Sequence, residues 1–223
     1  MTAELDLIIF DCDGVLVDSE TITNRIFARI LNQEFDLNLT LQDMYDTFMG
    51  RCSQDCQQII KKMTGRRWLP DLEKKYRREI ADALAENVTA IQGVLPLLEK
   101  LQTPYCVASN GTHQKMEITL GKAGLLPYLA ENKFSATEVE RGKPFPDVYL
   151  HAAESMGARS LQKCLVVEDT PVGVTGAVAA GMQVAGYSEL MSPEKLLEAG
   201  AHFVIKSMAE LTHIPGIKYH DGT

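Results

Sequence analysis

The chain contains no CxxC pair, no basic amino-terminal segment and no apolar run long enough to cross a bilayer. Its five cysteines (Cys12, Cys52, Cys56, Cys106 and Cys164) are odd in number and scattered. That pattern fits free thiols in a reducing compartment rather than a disulfide framework. Cys52 and Cys56 are spaced to meet one helical turn apart, but no histidine or second cysteine pair lies near them, so a zinc site is not expected. The opening MTAELDLIIFD lacks a secretory n-region, and its apolar stretch is too short for a signal peptide. A cytoplasmic protein with no membrane association is the expectation. Basic charge is also scarce: 22 Lys and Arg stand against 30 Asp and Glu, a formal net charge of −8. This balance disfavours nucleic acid as a partner. No internal repeat or low-complexity tract interrupts the chain.

What is present is ordinary globular material. Hydrophobic residues make up 45% and charged residues 23% of 223 positions, enough for one sizeable domain or a core with a smaller insert. The charge is uneven. Acidic and basic residues balance between positions 20 and 86, so the whole deficit belongs to the remainder. Within that balanced segment Lys61, Lys62, Arg66, Arg67, Lys74, Lys75, Arg77 and Arg78 cluster; a solvated helix face is the plain reading of such a run.

The most informative stretch is residues 5–19, LDLIIFDCDGVLVDS. Leu7, Ile8, Ile9 and Phe10 read as a short strand buried on both faces. It stops at Asp11; Asp13 follows two residues on, and Gly14 permits the turn. A period of two puts Asp11 and Asp13 on one side of an extended backbone. Open α/β sheets place their ligands at the carboxyl ends of such strands. An aspartate is ionised at neutral pH and can act as a nucleophile without a base, provided a cation offsets repulsion from an anionic substrate. Two solvated loop aspartates remain the alternative at this point.

From Ser19 to Asn87 helical periodicity replaces strand signal. Ile22, Ile26, Phe27, Ile30 and Leu31 form one stripe, Thr40 with Asp43 resembles a capping box, and Pro70 opens a last helix. About four helices are expected there. Beyond residue 89 strand and helix alternate: strands at 105–108, 132–136, 164–167, 182–185 and 202–205, helices at 112–120, 145–156, 172–180 and 193–199. Such alternation predicts an α/β fold, a Rossmann-like parallel sheet with helices on both faces. Residues 1–17 and 90–223 are assigned to this core, and residues 18–89 to an inserted all-α cap domain.

Three more segments carry chemistry. Ser109-Asn110-Gly111 closes an apolar strand and starts a helix, where a hydroxyl and backbone N–H groups can cradle phosphate; Ser109 could equally be a helix cap. In Arg141-Gly142-Lys143-Pro144-Phe145-Pro146-Asp147 a lysine sits on a loop stiffened by proline. Glu168-Asp169 is an acidic pair ending a strand, and adjacent carboxylates cost stability unless a cation holds them.

Taken together, DCDGVLVDSE, VASNG, GKPFPD and VVEDTPVG resemble, in order, the four motifs of the haloacid dehalogenase-like superfamily. The resemblance implies that Asp11 is the nucleophile, forming an aspartyl-phosphate, and Asp13 the acid/base. It implies that Lys143, with Ser109 and Asn110, binds the phosphoryl group. Asp11, the backbone carbonyl of Asp13 and Asp169 would hold Mg²⁺, with Glu168 direct or through water. Asp13 is an acid where the dehalogenases that named the superfamily have none, which points to the phosphotransferases. Thr23 stands where β-phosphoglucomutases carry a cap histidine, which favours a phosphatase over a mutase and leaves the mutase as the alternative.

SNGTHQKM followed by LGKAGL resembles the 6-phosphogluconate phosphatase branch. Arg51, after Gly50, matches a cap element that relatives use to touch substrate, and an arginine can bind a carboxylate or phosphate bidentately. The expected partner is therefore a small phosphate ester such as a phosphorylated sugar acid, handled by a monomer whose cap closes over the site. A receiver-like phosphate- and Mg²⁺-binding protein is the alternative from another class. It would place its phosphorylated aspartate on a middle strand, without a helical insert after the first.

Overall fold

The computed structural model describes residues 4–49, 51, 53–129 and 131–220, and these form two compact units. Gly50 and Cys52, and with Cys52 the anticipated cysteine pair, lie outside the described residues. The first unit joins Met1–Asp18 to Thr89–Thr223; the second is Ser19–Val88.

The first unit is built on a six-stranded, all-parallel sheet of order β3-β2-β1-β4-β5-β6. The strands are β1 (Leu7–Phe10), β2 (Tyr105–Ser109), β3 (Lys133–Ser135), β4 (Cys164–Glu168), β5 (Gln183–Tyr187) and β6 (Phe203–Ile205). Every residue of β1 and β4 is buried, as expected of parallel strands covered on both faces. In register, Phe10 lies beside Val107 of β2 and Val167 of β4, so the residues that follow it emerge between the ends of those two strands.

The helices of this unit are α5 (Val94–Lys100), α6 (His113–Lys122), α7 (Leu126–Leu129), α8 (Asp147–Ser155), α9 (Pro171–Ala179) and α10 (Pro193–Glu198). Their starts follow the caps in the sequence. The hydroxyls of Thr112, Thr170 and Ser192 accept the N–H groups of Lys115, Gly173 and Lys195, and Pro171 and Pro193 occupy first-turn positions. Helix α5 was not anticipated: Pro96 and a length of seven residues leave it too short for a readable stripe. Where the chain leaves and re-enters this unit, the Asp18 N–H donates to the Thr89 carbonyl at 3.0 Å, and Val17 bridges Ala90.

The second unit holds α1 (Ser19–Phe35), α2 (Leu41–Thr47), α3 (Ser53–Thr64) and α4 (Pro70–Asn87). Thr40 and Asp43 form the capping box reciprocally, each side chain accepting the other's backbone N–H. The core of this unit gathers Phe27, Phe35, Phe48 and the single tryptophan, Trp68, whose ring stacks parallel to Phe35 and meets Phe27 edge-on at 5.5 Å. The Trp68 indole N–H is satisfied by Glu73 at 2.6 Å. Much of the basic cluster is exposed and paired with acidic neighbours, Lys75 with Glu34 and Arg77 with Glu73. Among the described residues no helix is long and apolar enough to cross a membrane.

Candidate active site

Asp11 follows β1 directly, Glu168 ends β4 and Asp169 comes next. These three buried carboxylates each offer an oxygen within 4.8 Å of the others. Lys143 reaches them from the loop before α8. Its ammonium donates to Asp11 Oδ1, to Glu168 Oε1 at 2.7 Å and to the Ala108 carbonyl of β2 at 2.9 Å. The lysine side chain is 4% exposed. Three places far apart in the sequence (Asp11, Lys143 and the Glu168-Asp169 pair) thus converge between the ends of β1, β2 and β4, where an open parallel sheet presents its ligand site.

Electrostatics follow from burial. Loss of solvent pushes the Asp11 carboxyl up to about 7. The Lys143 ammonium pulls against that rise, and the charges of Glu168 and Asp13 add to it. For Lys143 burial alone disfavours the charged form, but Asp11 and Glu168 outweigh it and its pKa stands well above the ordinary lysine value. The three clustered carboxylates outnumber the one ammonium beside them. A divalent cation with a preference for hard oxygen donors fits such a cluster of carboxylate oxygens.

The acidic pair divides its work. Both oxygens of Glu168 are engaged: Oε1 accepts from Lys143 and from the Tyr149 hydroxyl at 2.8 Å, and Oε2 from the N–H and hydroxyl of Thr170. Its carboxylate therefore orients the lysine. It lies over the first turn of α9, where Gly173 leaves room: a Cβ there would sit 1.9 Å from Glu168. Gly176 acts similarly one turn on, letting the carbonyls of Pro144 and Phe145 approach α9 to within 3.1–3.2 Å of where its Cβ would be. The loop carrying Lys143 rests there.

Asn110 fastens the same loop from the other side. Its side-chain oxygen accepts the Lys143 N–H at 2.8 Å and its amide nitrogen donates to the Lys143 carbonyl at 3.2 Å. The side chain thereby braces the lysine's backbone. Ser109, buried at the end of β2, accepts the Gly111 N–H at 2.9 Å and can still donate its proton. Ser135 at the end of β3 donates to the Gly111 carbonyl at 2.7 Å, bracing the turn.

Asp13 stands apart from the carboxylate cluster, in a tight turn closed by bonds from Gly14, Leu16 and Val17. Its Oδ2 accepts from Lys115 Nζ at 2.8 Å. Arg51 belongs to the helical unit, is exposed, and donates its Nε to the Thr47 carbonyl at 2.7 Å. Lys115, Tyr149 and Thr170 fall within SNGTHQKM, the 145–156 helix and VVEDTPVG, but neither they nor Ser135 had a role at the site assigned from the sequence. Only Tyr149 could have been suspected, since a tyrosine on the buried face of a helix needs a partner for its hydroxyl.

Comparison with known proteins adds the remaining facts. Residues 8–187 match the family model described as haloacid dehalogenase-like hydrolase. The chain is 33% identical over 183 residues to 6-phosphogluconate phosphatase of Escherichia coli (strain K12), covering 82% of each. A conserved haloacid dehalogenase-like protein of unknown function from Agrobacterium tumefaciens superposes with a TM-score of 0.88 at 35% identity, covering 94% of this chain and 97% of that one. A HAD family hydrolase from Deinococcus radiodurans, solved with bound phosphate and sodium, gives a TM-score of 0.81 at 30% identity, covering 94% of each.

Proposed function

The chain belongs to the haloacid dehalogenase-like hydrolase family, and on that premise we propose that it is a Mg²⁺-dependent phosphomonoesterase acting on a small phosphorylated sugar or sugar acid. The observation that carries this reading is the buried set of Asp11, Asp169, Glu168 and Lys143 at the carboxyl ends of the central strands β1 and β4.

In the proposed reaction a carboxylate oxygen of Asp11 attacks the phosphorus. The new O–P bond forms as the ester P–O bond breaks, and Asp13 gives a proton to the departing alkoxide. Water then attacks the same phosphorus, Asp13 takes its proton, and phosphate leaves as the Asp11 carboxylate is restored. Lys143 offsets charge on the transferring oxygens, with the Ser109 hydroxyl and the backbone N–H of Asn110 as further donors. Asp11 and Asp169, with the backbone carbonyl of Asp13, would hold Mg²⁺; Glu168, already committed to Lys143, would reach it through water. The ion would supply charge neutralisation between nucleophile and phosphate.

The sugar-acid substrate rests on the likeness to 6-phosphogluconate phosphatase and on Arg51 as a carboxylate- or phosphate-binding group of the helical unit. Phosphate release from p-nitrophenyl phosphate with Mg²⁺ tests the activity: Asp11→Asn abolishes it, and retention of turnover in that variant would contradict the reading. A panel of phosphorylated sugars and sugar acids tests the substrate. Arg51→Ala should lower turnover of acidic sugar phosphates more than neutral ones, and an equal loss on both would remove Arg51 from the account.

A further inference from the structure

Lys115 falls within SNGTHQKM but has no role assigned from the sequence, yet it meets the side chain assigned to proton transfer. It lies in the first turn of α6, where its backbone N–H is held by the Thr112 hydroxyl at 3.2 Å and its carbonyl accepts from Thr119 at 3.0 Å. From this fixed base its side chain passes Gly111, where a Cβ would lie 3.4 Å from Lys115 Cδ and 3.7 Å from Asp13 Oδ2. Its Nζ donates to Asp13 Oδ2 at 2.8 Å. The two side chains are 38% and 17% exposed, so the pair borders the site and is not sealed inside it.

We propose that Lys115 is the positioning residue of Asp13, holding its carboxylate in the orientation that proton transfer needs. This rests on the reading of Asp13 as acid/base given above. The ammonium holds the carboxylate by Oδ2. In the first half-reaction the proton passes from Asp13 to the leaving oxygen as the ester P–O bond breaks. In the second, Asp13 takes a proton from water as the water oxygen bonds to phosphorus. The lysine neither gains nor loses a proton in either step. Both partners belong to the α/β unit, so the orientation is set by the turn after β1 and the start of α6 alone. Exposed and half-exposed ion pairs add little to stability. A contact of this kind matters here through geometry, because proton transfer needs the acid within hydrogen-bond reach of its target.

The test exploits leaving-group chemistry. An alkyl phosphate needs its leaving oxygen protonated, whereas p-nitrophenolate departs readily without help. Because kcat/KM reports only steps up to the first irreversible one, it isolates the transfer in which Asp13 acts as acid. Lys115→Met is expected to lower the ratio of kcat/KM for glycerol phosphate to that for p-nitrophenyl phosphate by about tenfold or more, within the range general acids contribute. Lys115→Arg, which keeps a cation donor, should recover most of that ratio. Should Lys115→Met not fold, Lys115→Gln carries the same comparison. An unchanged ratio, or an Arg variant no better than Met, would overturn the proposal. Asp11→Asn, measured alongside, keeps the two readings apart. If it still turns over p-nitrophenyl phosphate the phosphatase reading fails; if it is dead and the ratio is unmoved, only the role of Lys115 fails.

Discussion

Glu168 occupies the space a side chain at Gly173 would need: a Cβ there would lie 1.9–2.2 Å from the three carboxylate atoms of Glu168. This contact places the carboxylate over the start of α9 and lets it reach Lys143. Gly173→Ala must therefore push Glu168 away and leave Lys143 with one fewer partner. We expect a loss of about 1–3 kcal/mol in denaturant unfolding, the usual cost of overpacking, and a fall in kcat of roughly 10², the scale of an ångström-sized misplacement. Full activity in a folded Gly173→Ala protein would contradict the arrangement.

Tyr149 donates to the same carboxylate at 2.8 Å from a fully buried position. Tyr149→Phe removes one donor while Lys143 and Thr170 keep theirs. The expected outcome is a folded protein about 1.5–3 kcal/mol less stable, the size of a hydrogen bond to a charged group, with activity reduced far less than in Lys143→Met. Urea unfolding and steady-state kinetics check both halves of the statement.

Asn110 clamps the backbone of Lys143 at both its N–H and its carbonyl. Asn110→Ala should lower kcat by roughly 10² through displacement of the ammonium, with KM for p-nitrophenyl phosphate moving much less. A rise in KM at constant kcat would instead give the Asn110 side chain a ground-state binding role.

The raised Asp11 pKa fixes a sign for the metal-free protein. Its folded value, about 7, lies above the value of an unfolded aspartate, so the folded state holds the extra proton and is favoured at low pH. That contribution is complete below about pH 4 and is lost as pH climbs through 7. A bound divalent cation competes with that proton. The rise in melting temperature caused by Mg²⁺ should therefore be larger at pH 8 than at pH 6. Differential scanning fluorimetry with and without chelator measures it, and a Mg²⁺ effect that shrinks with rising pH would count against a cation beside Asp11.

How much of this was readable beforehand depends on how local each signal is. The strands of the sheet were legible because LIIF and CLVVE are apolar on both faces and end at charged residues. The four-residue α7 and the seven-residue α5 are too short for a 3.6-residue period to show. In the site, Asp11, Lys143, Glu168 and Asp169 stood out because each ends a strand or sits on a stiffened loop. The partner of Asp13 did not, since Lys115 is 102 residues away and nothing local marks which face of α6 meets the turn after β1. Glu168 was readable as an acid but not as the anchor of a lysine, because that depends on Tyr149 and Gly173, which only the folded packing of α8 and α9 brings to it.

The central claim is that Asp11 itself carries the phosphoryl group during turnover. Mixing the Mg²⁺-loaded protein with p-nitrophenyl phosphate, quenching in acid and examining the peptide that spans residue 11 by mass spectrometry tests it directly. The account predicts one phosphoryl group on Asp11, accumulating further in Asp13→Ala, where attack by water lacks its base. Release of phosphate with no adduct on that peptide in either protein, or an adduct on a different residue, would contradict it.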